Sequence, residues 1–380
     1  MTTIGVIRET TRGERRVALI PADVGRLRRS GLEVIVESRA GAGAWHDDEA
    51  YLAAGAQVAG RSQVIAGSDV LLCLRPPDDL DTLRSGQILV GLLAPLADPR
   101  LPRRLADAGV TALSLDLLPR TLSRAQSMDA LTSQANVAGY KAALVAADAY
   151  GGFLPMLVTA AGTVRPARVL VLGAGIAGLQ AIATARRLGA LVSGYDVREA
   201  AHDDIASTGA TVLRLAAPAA TGEGGYARRL TEDETAQQQR ALDEAVSGFD
   251  IVITAAQVPG GRPPVLVTAD ALAALRPGAV VVDLAAGEQG GNVAGSEPGR
   301  TVVTARGVTV IGAGDLAAQV PEAASAAYSR NVCALLAALV RDGAPAIDPQ
   351  DDLHAAVLVT HQGRITHPRV AAAVAEEVSS

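Results

Sequence analysis

Residues 168–196 read RVLVLGAGIAGLQAIATARRLGALVSGYD, and the reading of this stretch decides the fold. Arg168–Leu172 is a short apolar run of strand length, Ile176–Leu188 has helical spacing, and Leu191–Asp196 is strand-like again. Between the first two lies Gly173-Ala174-Gly175-Ile176-Ala177-Gly178, a G-x-G-x-x-G turn. Each glycine has a mechanical task. Gly173 makes the tight turn, Gly175 lets the backbone approach a pyrophosphate, and Gly178 lets helix and strand pack closely. The helix that opens at Ile176 points its N–H groups and the positive end of its dipole at the phosphates. Such a turn alone is weak evidence, because glycine turns are common. Here a strand precedes it, a helix follows, and Asp196 ends the next strand about 20 residues on. A carboxylate there accepts hydrogen bonds from a ribose 2′-hydroxyl and repels a 2′-phosphate. Gly173, Gly175, Ile176, Gly178, Asp196 and its neighbour Val197 are therefore expected to bind a dinucleotide. Arg198 is of the type that accepts a 2′-phosphate, but Asp196 holds the discriminating position and favours NAD(H).

The same alternation of strand and helix extends in both directions. Upstream, strands are expected at Thr3–Ile7, Leu32–Glu37, Asp69–Leu74, Gln87–Leu92 and Val110–Leu115, with helices at Ala22–Arg29 and Leu101–Ala108. Strands alternating with helices imply a parallel sheet covered on both faces. Asp129–Tyr150 is a long alanine-rich helical pattern closed by Gly151-Gly152. Downstream, strands follow at Asp250–Thr254, Ala279–Leu284 and Val308–Ile311, and Ala323–Val340 reads as a helix. The expected class is thus α/β, with two Rossmann-like parallel-sheet domains joined by long helices. The dinucleotide-binding domain, 151–324, is inserted into a discontinuous one formed by 1–128 and 325–380, with 129–150 as the linking helix. Ala216–Gln238 is polar and glycine-bearing, and its start is expected to be a surface loop.

Composition narrows the function classes. With 49% apolar and 19% charged residues in 380, the chain can bury two sizeable cores. A net charge of −6 with no basic run speaks against nucleic acid. No apolar run approaches the roughly 20 residues that span a bilayer, and no signal peptide is visible. Cys73 and Cys333 lie in apolar runs and read as buried, reduced thiols, so a cytoplasmic protein without a metal site is expected. Lys141 is the sole lysine and sits in the body of the long helix, so amine chemistry would have to use it or the N-terminus.

Further segments carry a family pattern. Gly5-Val6-Ile7-Arg8-Glu9 followed by Glu14–Pro21 resembles the N-terminus shared by alanine dehydrogenases and the NAD-binding subunit of transhydrogenases. The run Ser123-Arg124-Ala125-Gln126-Ser127-Met128-Asp129, then Asn136–Tyr140 and Thr159–Val164, resembles the transhydrogenase branch. Gly224–Ala227 and Gly290-Gly291-Asn292 extend the resemblance over nearly the whole chain. It implies that an arginine, Gln126 and Asp129 surround the nicotinamide as catalytic residues, with Ser127, Met128 and Thr132 also at the cofactor. The arginine is Arg120, with Arg124 as the alternative. Helix capping is the competing role for Gln126 and Asp129. The resemblance also puts Gly225 and Tyr226 on a flap that closes over the nucleotide. Ala256 and Gln257, just past a strand end, are expected to line the nicotinamide side.

Alanine dehydrogenases share the fold but need a lysine and a histidine for proton transfer. The lysine position here reads Leu74-Arg75-Pro76, and arginine cannot shuttle a proton. No histidine occurs in Gln87–Ala97; the five are His46, His202, His354, His361 and His367. Hydride exchange between two nicotinamides needs no such groups, only one ring held where a second can approach. The resemblance therefore implies the NAD(H)-binding alpha subunit of a Re/Si-specific, proton-translocating transhydrogenase. Its implied partners are NADP(H)-binding and membrane-spanning subunits and a second copy of itself, placing it at the inner membrane's cytoplasmic side. The alternatives are an alanine-type dehydrogenase and a non-catalytic NAD(H)-binding module.

Overall fold

The structure is a computed structural model that describes residues 1–119, 122–215, 231–257 and 262–379. The chain forms two compact units, Met1–Gln134 with Ala318–Ser380, and Ala135–Ala317.

In chain order the first unit contributes strands β1 (Thr3–Val6), β2 (Glu33–Glu37), β3 (Gln57–Ala59), β4 (Val70–Leu72), β5 (Ile88–Gly91) and β6 (Thr111–Ser114). The second contributes the hairpin β7 (Leu157–Thr159) and β8 (Gly162–Val164), then β9 (Arg168–Leu172), β10 (Leu191–Tyr195), β11 (Thr211–Val212), β12 (Ile251–Thr254), β13 (Val280–Asp283), β14 (Thr301–Val303) and β15 (Thr309–Gly312). The chain then returns to the first unit with β16 (Val340–Arg341), β17 (Ala344–Pro345), β18 (Leu358–His361) and β19 (Arg364–Ile365).

The first unit's main sheet has the order β19-β18-β6-β5-β4-β1-β2-β3. β1 to β6 pair in parallel, and β18 adds to β6 antiparallel. Because successive side chains leave a strand on opposite faces, both faces can be apolar when both are covered. Ile4, Val6, Val34, Val70 and Leu72 enter one core. Leu71, Leu89, Ala112 and Val359 enter the other.

The second unit's sheet runs β11-β10-β9-β12-β13-β15-β14, parallel except at β14. Val169, Val171, Ile251 and Ile253 pack on one side of it, and Leu170, Leu172, Val252 and Val281 on the other. Strand order reverses between β9 and β12, so the crevice outside their carboxyl ends is where an open parallel sheet takes a ligand.

The expected strands recur within a residue or two of their predicted bounds. The sequence reading did not anticipate the helix Glu232–Val246. Its apolar anchors Leu242 and Val246 are buried, but they stand at the end of a run of polar residues that hides the helical period. The edge strands β3, β11 and β14, two or three residues long, were likewise too brief to register. In the long helix Ala130–Ala149, Gly139 lets the backbones meet, since a Cβ there would lie 2.0 Å from the Ala177 carbonyl oxygen.

Candidate functional site

The glycine turn leaves β9 with Gly173 at φ +96°, a conformation that favours glycine. The Gly173 N–H donates to the Tyr195 carbonyl at 2.8 Å, tying the turn to β10. A Cβ on Gly178 would lie 1.8 Å from the Gly173 carbonyl oxygen, so the first turn of helix Ile176–Arg187 sits directly against the glycine loop. Gly175 differs from both. Nothing lies within 4 Å of a Cβ built there, and its φ is −82°. Neither packing nor backbone conformation demands a glycine at 175. The open space in front of the helix N-terminus, where no side chain caps the first N–H groups, fits a pyrophosphate.

Asp196 closes β10 and is buried. One carboxylate oxygen, Oδ2, accepts from the Ala174 N–H at 2.8 Å and from Arg198 Nη2 at 2.9 Å. The other, Oδ1, accepts from the Arg198 N–H at 2.9 Å and Nε at 3.0 Å. Burial raises its pKa, but the hydrogen bonds from Arg198 and Ala174 outweigh that and hold it below the ordinary carboxylate value. The carboxylate thus does two things: it fixes the glycine loop through Ala174, and it holds Arg198 by a bidentate pair. With these four acceptances its lone-pair sites are filled, so a ribose hydroxyl would have to displace part of Arg198. Val197, beside them, is exposed.

Across the crevice, β12 ends at Thr254, and the Ala255 N–H donates to the Leu172 carbonyl at 2.8 Å. Ala256 follows, its N–H held at 3.0 Å by Asn292 Oδ1. Gln257 Nε2 donates to the Leu284 carbonyl at 3.3 Å.

Gln126, Ser127, Met128, Asp129 and Thr132 lie in the first unit, on the 3-10 turn Ser123–Met128 and the start of the long helix. Ala125 and Met128 are buried and anchor the turn, while Gln126 and Ser127 are exposed. Asp129 Oδ1 accepts from the Thr132 N–H at 2.8 Å and Oδ2 accepts from Thr132 Oγ1 at 2.6 Å, so Asp129 caps the helix. The Ser127 carbonyl accepts from Asn331 Nδ2 at 2.8 Å, and Asn331 also accepts from Ser133 at 2.7 Å. Asn331 holds the turn from helix Pro321–Leu339, a role no local sequence signal announced. Arg124 pairs with Asp351 at 2.6 Å and also meets Asp352. Its guanidinium is thereby committed to the closing segment of the chain. Arg120, Gly225 and Tyr226 lie outside the described residues.

Past β4, Leu74 and Arg75 donate their N–H groups to Glu9 at 2.6 and 3.2 Å. The Arg75 side chain pairs with Glu14 at 3.6 Å. Burial raises the Glu9 pKa to about 7 against the lowering effect of those two N–H groups. Three of the histidines serve nearby structure: His202 faces the Asp196 carbonyl, His354 the Asp348 N–H, and His361 pairs with Thr111.

A glycine turn at a switch point, an open helix N-terminus and an acidic residue closing the next strand define a dinucleotide-binding protein of Rossmann type. The comparisons with known proteins make the assignment particular. Residues 5–138 match the alanine dehydrogenase/PNT N-terminal domain and residues 142–368 the C-terminal domain, and the chain belongs to that family. It is 37% identical to an NAD(P) transhydrogenase alpha subunit of Rickettsia prowazekii, over 96% of each chain. It is 32% identical to the alanine dehydrogenase of Mycobacterium tuberculosis, over 97% of this chain and 95% of that one. The crystal structure of transhydrogenase from Sinorhizobium meliloti superposes with a TM-score of 0.86 at 39% identity, covering 96% of this chain and 99% of that one.

Proposed function

We propose that this chain is the NAD(H)-binding alpha subunit of a Re/Si-specific, proton-translocating transhydrogenase. It presents NADH for hydride transfer to NADP⁺ held by another subunit: NADH + NADP⁺ ⇌ NAD⁺ + NADPH. When bound, the dinucleotide supplies the hydride from C4 of its nicotinamide. The chain's own residues bind and orient. Gly173, Gly175, Ile176 and Gly178 take the pyrophosphate, and Asp196, Val197 and Arg198 the adenosine ribose. Ala256 and Gln257 line the nicotinamide side. Gln126, Asp129 and Arg120, with Ser127, Met128 and Thr132, orient the ring, and Gly225 and Tyr226 close over the nucleotide. Arg120 is preferred over Arg124 because Arg124 is already paired with Asp351.

The observation that carries this reading over an alanine-type dehydrogenase is Arg75. It stands where proton transfer to a keto acid would need a titrating amine, it is paired with Glu14, and a guanidinium does not shuttle protons. The 37% match to a transhydrogenase subunit against 32% to an alanine dehydrogenase points the same way. Among the described residues no helix is long and apolar enough to cross a membrane. The transhydrogenase reading assigns proton movement and NADP(H) to partner subunits, with this chain held peripherally at the membrane. A second copy is a further partner: the hairpin β7–β8 exposes Val158 and Val164, and Phe153 and Met156 just before it are exposed too.

The test is reduction of an NAD⁺ analogue by NADPH, with and without a soluble NADP(H)-binding transhydrogenase domain. Transfer is expected in the mixture alone and is lost in Gln126→Ala. An inactive mixture together with NAD⁺ reduction by L-alanine from this chain would replace the reading with the dehydrogenase one.

A further inference from the structure

The crevice at the switch point of the second unit has two lips, and a buried polar side chain holds each. Asp196 fixes the glycine lip through Ala174. The opposite lip, at the end of β12, is held by Asn292, which is 0% exposed. Its Oδ1 accepts from the Ala256 N–H at 3.0 Å, and its Nδ2 donates to the Ala256 carbonyl at 2.9 Å and to the Pro264 carbonyl at 2.7 Å. One amide therefore pairs with both backbone groups of Ala256, as a neighbouring strand would, and reaches the chain again at Pro264. The Asn292 carbonyl in turn accepts from the Leu266 and Val267 N–H groups at 2.7 and 2.9 Å.

The position of Asn292 is itself prescribed. Buried Asp283, at the end of β13, accepts from the Val293 and Ala285 N–H groups at 3.1 and 2.9 Å and from Thr254 Oγ1 at 3.1 Å. A Cβ on Gly291 would lie 2.2 Å from Asp283 Oδ2, so the segment before Asn292 passes directly over that carboxylate. The lip abuts the glycine turn, since a Cβ on Gly173 would meet the Ala256 nitrogen at 2.9 Å. Displacing Ala256 is thus felt on the crevice itself.

We propose that Asn292 is a positioning residue for the cofactor. It fixes the Ala255–Gln257 lip against which the nicotinamide half of NAD(H) is set, while the adenosine half is held independently by the glycine turn and Asp196. This rests on the cofactor reading above. Asparagine is the side chain that does this: it supplies one acceptor and two donors in a plane, matching one N–H and two carbonyls. Aspartate at 292 would set a second acceptor against two carbonyls, and alanine would remove the partner of three backbone groups at the lip.

The experiment compares wild type, Asn292→Ala and Asn292→Asp for NADH binding, followed by dinucleotide fluorescence, and for 5′-AMP binding, followed by calorimetry. For both variants the NADH dissociation constant is expected to rise about tenfold or more while that for 5′-AMP changes less than about twofold. A role confined to stability would move both ligands together or neither, and either result overturns the proposal. Should both variants fail to fold, hydrogen exchange on wild type decides. NADH is expected to slow exchange in 254–257 and 264–267, and 5′-AMP is not; equal protection by the two overturns the proposal. Wild type that binds no NADH would instead overturn the cofactor reading, a separate outcome.

Discussion

Glu9 shows how a single residue can look chemical and still be structural. It follows β1, its carboxylate receives the Leu74 and Arg75 N–H groups, and burial raises its pKa to about 7. A folded pKa above the unfolded value means the folded chain holds a proton that the unfolded chain releases. The stability this contributes is fully present below the ordinary 4.5 and is lost as pH rises through about 7. The span corresponds to roughly 3 kcal/mol at most. Urea midpoints of wild type should therefore fall relative to Glu9→Gln between about pH 5 and about pH 8, and parallel profiles would show that Glu9 does not titrate there. Arg124 makes the converse case, a residue that looks available and is not. Its pair with Asp351 lies at the solvent-exposed surface, where water screens the attraction and the pair adds little to stability. Arg124→Ala should thus leave both the melting temperature and hydride transfer close to wild type, whereas Arg120→Ala should lower transfer about tenfold or more. Equal losses in the two variants would reverse the assignment.

At the scale of elements, the glycine turn separates packing from binding. Gly178→Ala forces a Cβ onto the Gly173 carbonyl and should cost about 1–3 kcal/mol of stability besides abolishing NADH binding. Gly175→Ala meets only open space, so its melting temperature should match wild type while NADH affinity falls about tenfold or more. A Gly175→Ala protein that binds NADH normally would remove the pyrophosphate from this turn. The start of the long helix mixes the two roles. Asp129→Ala loses a cap worth about 1 kcal/mol, so the variant that isolates its function is Asp129→Asn, which keeps a capping oxygen. These turns were legible in the sequence because glycine and acidic residues sat at spacings with a mechanical cause. The roles of Asn292, which stood in the family pattern as part of Gly290-Gly291-Asn292, and of Asn331 were not, because each holds a loop that is remote in the chain: Asn292 is 36 residues from Ala256 and Asn331 is 204 from Ser127.

For the whole molecule, what could be read in advance was the alternation of apolar runs, since strands buried on both faces are near-continuous in Val, Leu and Ile. Both parallel sheets follow from that alternation, whereas the strand order, and with it the switch point between β9 and β12, is seen only in the folded chain. The hairpin Leu157–Val164 did not stand out as one, because its strands face neither core and so have no apolar period to read. That same lack of a partner bears on assembly. A two-stranded hairpin is marginal in water by itself, and this one leaves Val158 71% exposed, with Met156 just before it 60% exposed. Single exposed apolar residues are ordinary on a monomer, and clustered on one short element they form the kind of apolar patch that protein interfaces use. Within the proposed function that chain is a second copy, so the protein should sediment as a dimer at micromolar concentration. Val158→Asp places a charge on the hairpin without touching either core, and it should shift the protein to monomer while its circular dichroism stays unchanged. NADH affinity of that monomer should remain within about twofold of wild type, because the glycine turn and Asp196 belong to one chain. A Val158→Asp protein that still sediments as wild type would take the hairpin out of the interface.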